Sequence, residues 1–275
     1  MSATCALCPH HCSLKEGQKG LCKARICLNG EIISESYGKL TALALDPVEK
    51  KPLKRFHPGK KLLSIGSYGC NLRCPFCQNA AIAASKGDDL PITQMQPFEL
   101  VDLACSLKEQ GNIGIAYTYN EPLVGYEYVS DCAKMAHAHG LYNVVVTNGY
   151  ICLEPLKELL AHIDALNIDL KGFIESYYKE LGGDLKTVKA SIAAVARVCH
   201  VEVSTLIVPG KNDSETEINA LSAWLASVRP DIPLHILRFF PSYKMQNSAP
   251  TPIATIYKLA ELARKHLKYV YEGNC

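Results

Sequence analysis

The stretch "GCNLRCPFCQN", Gly69 to Asn79, carries three cysteines, Cys70, Cys74 and Cys77, and no fourth. A closed tetrahedral metal site takes four ligands. The spacing Cys70-x3-Cys74-x2-Cys77 therefore implies either a partner elsewhere in the chain or a metal centre left open on purpose. Chance would produce the triplet in only about 0.03 of chains with 13 cysteines among 275 residues. Soft thiolates select iron–sulfur clusters or zinc. Three thiolates on a four-iron cluster leave one iron free for chemistry, whereas four thiolates usually make an electron carrier.

The residues around this stretch set the fold. "LLSIGSYG" (62–69) reads as a strand ending at glycine, and strand-like and helical runs then alternate to the end of the chain. Strands are expected at 113–119, 141–149, 165–172, 201–210, 233–240 and 268–273. Helices are expected at 98–111, 126–140, 153–163, 184–199, 214–228 and 252–267, with a capping-box pattern of Ser214 and Glu217 opening the fifth. Strands separated by helices of this length require parallel crossovers, so the fold class is α/β with a buried parallel sheet. Six units are fewer than the eight of a complete barrel, which predicts an open, partial (β/α)6 barrel over 61–275.

Polar residues punctuate nearly every strand end: Cys70, "TYNEP" (118–122), "TNG" (147–149), "DLK" (169–171), "VPGKND" (208–213) and "RFFPS" (238–242). Ligands of parallel α/β folds sit at that rim, so these segments read as one wall. Asp169 and Lys171 are two apart on a strand and share a face toward the barrel mouth.

Residues 1–60 lack this rhythm. Residues 1–45 read as a Cys-rich appendage organised by metal, and 46–60 as a connecting arm whose "EKKPLKR" run (49–55) is expected to be solvated. Cys5, Cys8, Cys12 and Cys22 supply four thiolates, enough to close a structural site. Zinc and a second iron–sulfur cluster both fit, zinc being slightly favoured on ligand closure, with His10, His11 and Cys27 as alternative ligands. Cys105 and Cys132 read as small core residues, Cys152 and Cys199 as element-end residues, and Cys275 as a free terminal thiol.

Composition excludes several classes. Hydrophobic content of 48%, charged content of 20% and a net charge of +2 describe an ordinary globular protein with no nucleic-acid surface. No apolar run reaches the roughly 18 residues of a membrane span, and the N-terminus has no apolar leader, so a cytoplasmic location is expected. The cysteines are then thiols or metal ligands, not a disulfide framework.

CxxxCxxC with an aromatic, Phe76, just before the last cysteine resembles the signature of radical S-adenosylmethionine (SAM) enzymes. The resemblance covers nearly the whole chain and includes the glycyl-radical-enzyme activases typified by pyruvate formate-lyase activating enzyme. "CALCPHHCSLKEGQKGLCKAR", "YGKLTALALDPVEKKPLKRFHPG" and "SIGSYGCNLRCPFCQN" closely resemble the radical SAM protein of the AmmeMemoRadiSam system, which also contains Memo-like and Ammecr-like proteins.

That resemblance implies a [4Fe-4S] cluster on Cys70, Cys74 and Cys77 whose open iron chelates SAM. One electron then cleaves SAM to methionine and a 5′-deoxyadenosyl radical that abstracts hydrogen. It further implies that Phe76 and Gln78 flank the adenine, Lys171 pairs with the SAM carboxylate and Glu121 accepts from its ammonium. Asn120, Asn148 and Asp169 would contact SAM, and His235 would lie near the adenosine. Where the family often has Gly-Gly-Glu-Pro, this chain has Tyr119-Asn120-Glu121-Pro122. The implied partners are an electron donor such as flavodoxin or ferredoxin and, for an activase-like enzyme, a protein substrate. The alternatives are a small-molecule substrate and a cluster-binding module without SAM turnover.

Overall fold

The computed structural model describes residues 2–275. One eight-stranded sheet dominates it: β1 (Ala42–Pro47), β2 (Lys61–Gly66), β3 (Asn112–Tyr117), β4 (Tyr142–Thr147), β5 (Ala165–Asp169), β6 (His200–Ile207), β7 (Leu234–Arg238) and β8 (Val270–Gly273). The strands lie in sequence order across the sheet. β2 to β8 are parallel, and only β1 runs antiparallel, against β2. Because β1 and β8 are its two edges, the sheet is an open barrel of six β–α units and a closing strand.

Six amphipathic helices make the crossovers: α1 (Pro97–Ser106), α2 (Tyr126–Ala138), α3 (Leu153–Leu160), α4 (Leu185–Val195), α5 (Glu215–Val228) and α6 (Ile253–Ala263). Their ends follow from their caps. Asp184 accepts from the Thr187 amide at α4, and Ser214 accepts from the Glu217 amide at α5. Gln96 and Glu99, unread in the sequence, form a complete capping box at α1. The expected box at α5 is only half made, because Glu217 Oε1 accepts instead from the Phe173 amide in the loop after β5, at 2.5 Å.

The arm departs most from expectation. β1 starts within the expected appendage and joins the main sheet, and of residues 48–57 Val48, Lys51, Leu53 and Phe56 turn inward while Lys50, Lys54, Arg55 and His57 stay in solvent. Val48, Leu53 and Phe56 pack with Leu62, Ala116, Val144 and Ala165, filling the barrel interior near the strand starts. Leu53 is fully buried and Lys51 is 3% exposed.

A buried carboxylate anchors this plug. Glu202 on β6 accepts from the backbone amides of Lys54 and Arg55 at 3.0 and 2.8 Å. It also bonds the rings of His200 and His235 at 2.9 and 2.6 Å. Asn167 on β5 donates to the Pro52 carbonyl at 2.8 Å. Burial pushes Glu202 up, but the bonds from His200, His235 and Arg55 win and bring it from 4.5 to about 2.

The appendage folds as two small hairpins, Ser2–Thr4 with Ser13–Lys15 and Arg25–Leu28 with Glu31–Ser34. Asn29 and Gly30, both at positive φ, make the two-residue turn of the second, a hairpin signal the sequence carries openly. The appendage is tied to the rim of the barrel by the Cys152 amide donating to Leu7 O, His10 Nε2 donating to Asn71 O and the Cys70 amide donating to Cys22 O.

Candidate active site

The C-terminal ends of the strands open into a pocket enclosing about 1170 Å³ of space unfilled by atoms, its mouth included. Cys70, Cys74 and Cys77 line it, and with them Phe76, Gln78, Asn120, Glu121, Asn148, Asp169 and Lys171. Of the residues singled out in the sequence for this site, only His235 does not reach it.

The cysteine loop follows β2 and is held by side-chain amides from neighbouring strand ends. Asn120 accepts from the Ser67 amide and donates to the carbonyls of Tyr68 and Gly69. Asn71 donates to Tyr150 O and accepts from Asn148 Nδ2. The same Asn148 amide donates to Cys70 Sγ at 3.6 Å, and the Leu72 amide reaches that sulfur at 3.4 Å. Donors aimed at a sulfur are the protein's means of tuning a thiolate-bound centre. Phe76 anchors the loop from below, buried among Tyr177, Leu181, Val208 and Phe239. Gln78 is exposed at the mouth.

Burial pushes the Cys74 thiol up to about 11 and raises Cys70 and Cys77 as well. Free thiols so shifted are poor nucleophiles, while a bound metal deprotonates its thiols outright. The chemistry of the three therefore fits ligation and not thiolate attack. Among the described residues no three His, Cys, Asp or Glu side chains converge as a single ion requires. The three sulfurs instead border open space, as a cluster with its own core needs.

Opposite them, Glu121 is 3% exposed. Its carboxylate accepts from the Leu123 amide at 3.1 Å, Thr147 Oγ1 at 2.7 Å and the Asn148 amide at 2.7 Å. Burial outweighs these donors and raises Glu121 to about 7, so a cation placed beside it would be strongly favoured. Thr147, not singled out individually beforehand, is thus part of the wall. Lys171 Nζ pairs with Asp169 Oδ2 at 2.6 Å. Burial opposes its charge, but Asp169 and the neighbouring Cys74 hold it well above the ordinary lysine value.

One wall was missed in the sequence. Tyr119 adopts φ 71°, the left-handed region where relatives of this fold were expected to have glycine. Its hydroxyl donates to Asp46 Oδ2 at 2.7 Å, and Lys51 Nζ lies 4.8 Å from its ring centroid. Lys51 pairs with the same Asp46 oxygen at 2.8 Å. Burial pushes Asp46 up, yet Lys51, Tyr119 and Lys50 hold it well below the usual carboxylate range. Lys50 and Lys51 both line the pocket, so the plug contributes two cations to the site. No spacing motif marks them; only the strand pairing of β1 brings Asp46 under Tyr119.

His235 needs correction. It stands on β7 opposite Ser204, which pairs with Asp169, so the register puts it at the right height. Its Nε2 is nevertheless donated to Glu202, and its ring stacks on Tyr271 at 5.4 Å. The carboxylate that holds the plug also draws His235 away from the pocket. In the appendage, Cys5, Cys8, Cys12 and Cys22 line one small cavity with His10 and Arg25, without three of them converging as a single ion requires. His11 and Cys27 are not among its lining residues.

The family model described as the Radical SAM superfamily matches residues 64–223. An uncharacterized protein of Methanocaldococcus jannaschii, MJ0808, is 42% identical over 283 residues, covering 98% of this chain and 80% of its own length. MJ1632 of the same organism, whose name assigns it provisionally as a glycyl-radical enzyme activating enzyme, is 24% identical over 215 residues, 76% of this chain and 79% of that protein. A domain of pyruvate-formate lyase-activating enzyme from Bacteroides vulgatus superposes with a TM-score of 0.52 at 19% identity, over 58% of this chain and 99% of that one. That last likeness concerns the fold alone.

Proposed function

This chain belongs to the radical SAM superfamily, and from that premise we propose that Cys70, Cys74 and Cys77 hold the [4Fe-4S] cluster at which the enzyme cleaves SAM. The observation that carries the reading is the convergence of those three cysteines with Glu121, Asn148, Asp169 and Lys171 on one pocket. With its cluster and SAM bound, such a pocket supplies one-electron cleavage of SAM to methionine and a 5′-deoxyadenosyl radical that removes a hydrogen atom.

The residues divide the work of binding. Glu121, already carrying three donors, keeps lone-pair capacity for the ammonium of SAM, and its burial makes that interaction strong. Lys171 exchanges part of its bond with Asp169 for the SAM carboxylate. Asn148 orients Cys70, and Asn120 keeps the loop in register with the strand ends. Phe76 gives the loop a rigid floor, and Gln78 meets the adenine at the mouth. Together they fix the cofactor and keep water from the reacting centre.

The substrate class is a partner protein, as for an activase. Support comes from the open mouth, from the likeness to MJ1632, and from the resemblance of residues 5–25, 37–59 and 64–79 to the AmmeMemoRadiSam radical SAM protein. Memo-like and Ammecr-like proteins are then the partners to try first, with flavodoxin or ferredoxin as reductant. The test is 5′-deoxyadenosine formation, followed by mass spectrometry, from anaerobically reconstituted protein given SAM and reductant. Product from the wild type and none from Cys74→Ala is expected. No product from the wild type with a reducible cluster and any candidate partner would sink the reading.

A further inference from the structure

The residues assigned above to SAM leave one wall of the pocket unused. Lys50, Lys51 and Tyr119 line that wall. Its backbone is strained: Tyr119 holds φ 71°, a left-handed conformation that a bulky residue rarely adopts. Its side chain also lies so close to Gly66 that a Cβ there would meet Tyr119 Cβ at 2.9 Å. Strain of this kind persists only where the surroundings fix it, and it concentrates at functional sites. The fixing groups here are Asp46, which accepts from the Tyr119 hydroxyl, and Asn79, whose Nδ2 donates to the Tyr119 carbonyl at 2.7 Å. Asn79 stands two residues after Cys77, so the wall is tied to the cysteine loop.

The charges on this wall do not cancel toward the pocket. Asp46 pairs with Lys50 Nζ at 3.2 Å and with Lys51 Nζ at 2.8 Å, so one carboxylate serves two ammonium groups. Both lysines line the pocket and Asp46 does not. One positive charge is therefore left over on the pocket side. Lys51 is the more firmly held, its side chain 4% exposed against 67% for Lys50. An ammonium has three donors, and among the described residues Asp46 alone accepts from Lys51 Nζ. Burial, with the neighbouring Lys50, lowers Lys51 against the pull of Asp46. An anion arriving from the pocket would relieve that penalty and take up the spare donors.

We infer that Lys50 and Lys51 receive a carboxylate of the substrate and so fix which part of it meets the radical. The inference rests on the reading of Cys70, Cys74 and Cys77 given above. SAM cannot supply this anion: its sulfonium and ammonium outnumber its one carboxylate, which Lys171 takes. A single surplus charge suits a carboxylate better than a phosphate dianion. On a partner protein the group is an Asp or Glu side chain of the segment that enters the mouth; on a small acid it is the molecule's own. Lys51, buried, sets its position, and Lys50, largely exposed, follows it as it enters. Tyr119 is a positioning residue, its ring 4.8 Å from Lys51 Nζ and its hydroxyl on the same Asp46 oxygen.

The test is calorimetric titration of the anaerobically reconstituted protein, with SAM present, using two acid–amide pairs. One pair is the end-blocked peptides Gly-Gly-Asp-Gly-Gly and Gly-Gly-Asn-Gly-Gly; the other is succinate and succinamide. In at least one pair the acid should bind at least about tenfold more tightly than its amide, the order expected of charge-assisted hydrogen bonds. A preference confined to the peptides puts the carboxylate on a protein segment. One confined to succinate puts it on a small acid, which upholds the anion site and removes the partner protein as substrate. Equal binding of acid and amide in both pairs overturns the inference.

Variants assign the preference to the wall. Lys51→Met should erase the ratio of acid to amide affinity, and Lys50→Ala should reduce it about threefold. Lys51→Arg, which keeps the charge, should retain most of it and stands in if Lys51→Met does not fold. A purely structural role would lower stability and leave the ratio alone, so a ratio unmoved by the changes at both lysines contradicts the assignment. SAM binding to the same samples separates this inference from the one beneath it. If SAM shifts the cluster's paramagnetic signal while acid and amide bind alike, only the anion site falls. If the acid is preferred while SAM shifts no signal, the anion site stands and the reading of Cys70, Cys74 and Cys77 falls.

Discussion

Two cysteine sites lie one hydrogen bond apart and differ in what surrounds them. The site of Cys70, Cys74 and Cys77 has three thiols, a wide mouth and a ring of polar strand ends. The site of Cys5, Cys8, Cys12 and Cys22 has four thiols, a small cavity and one leftover arginine donor. Ligand count alone separates a centre that can take substrate from one that cannot. The surroundings follow the same logic: Glu121 and Lys171 offer opposite charges to a zwitterion at the open site, and nothing comparable faces the closed one.

The largest effect that would sharpen this contrast comes from Cys74→Ala. It should abolish 5′-deoxyadenosine formation altogether, whichever reductant is supplied, as mass spectrometry of the products would reveal. Retained turnover would remove the distinction between the sites.

Next comes the plug beneath the open pocket. Glu202→Gln leaves the amides of Lys54 and Arg55 and two histidines facing a neutral group. A cost of about 3 kcal/mol is expected, several degrees in Tm by calorimetry. The pH dependence has a definite sign. Because the folded-state value of Glu202 is depressed from 4.5 to about 2, its contribution is complete above 4.5 and is lost as pH falls toward 2. The variant should lack that part of the acid destabilisation; identical acid profiles would show that the plug is held some other way.

Glu121→Gln should weaken SAM binding by about 2 kcal/mol, roughly 30-fold, measured by equilibrium titration of the reconstituted protein. An unaltered SAM affinity would take Glu121 out of the cofactor site. The smallest effect belongs to Tyr119→Phe, which deletes one bond to Asp46. A loss of about 1 kcal/mol in thermal stability is expected; none would mean that Lys51 alone secures the arm.

Much of the catalytic end was legible in the sequence because strand ends are marked locally. Glycine, proline and the polar tripeptides after each strand declare the rim, and period-two faces put Asp169 and Lys171 on one side. The barrel's interior was not legible, for a physical reason. "EKKPLKR" looks solvated because its charges dominate, and Lys50, Lys54 and Arg55 are indeed exposed; what turns Lys51 and Leu53 inward is an ion pair to nearby Asp46 and, for the amides of 54 and 55, the distant carboxylate of Glu202. His235 failed for the same cause, since a distant carboxylate claims its ring. Tyr119 could be noticed as a departure from glycine, but its left-handed backbone and its bond to Asp46 appear only once β1 is paired with β2. In the appendage the Asn29-Gly30 turn was readable, whereas the separation of four sulfurs around a cavity is a matter of three dimensions.

The most direct measurement is electron paramagnetic resonance of the fully reduced wild-type protein before and after adding SAM. A cluster signal that shifts with SAM and disappears in Cys74→Ala is expected. A signal that SAM leaves unmoved, or one that survives in Cys74→Ala, would contradict the reading of Cys70, Cys74 and Cys77 as the open site that does the chemistry.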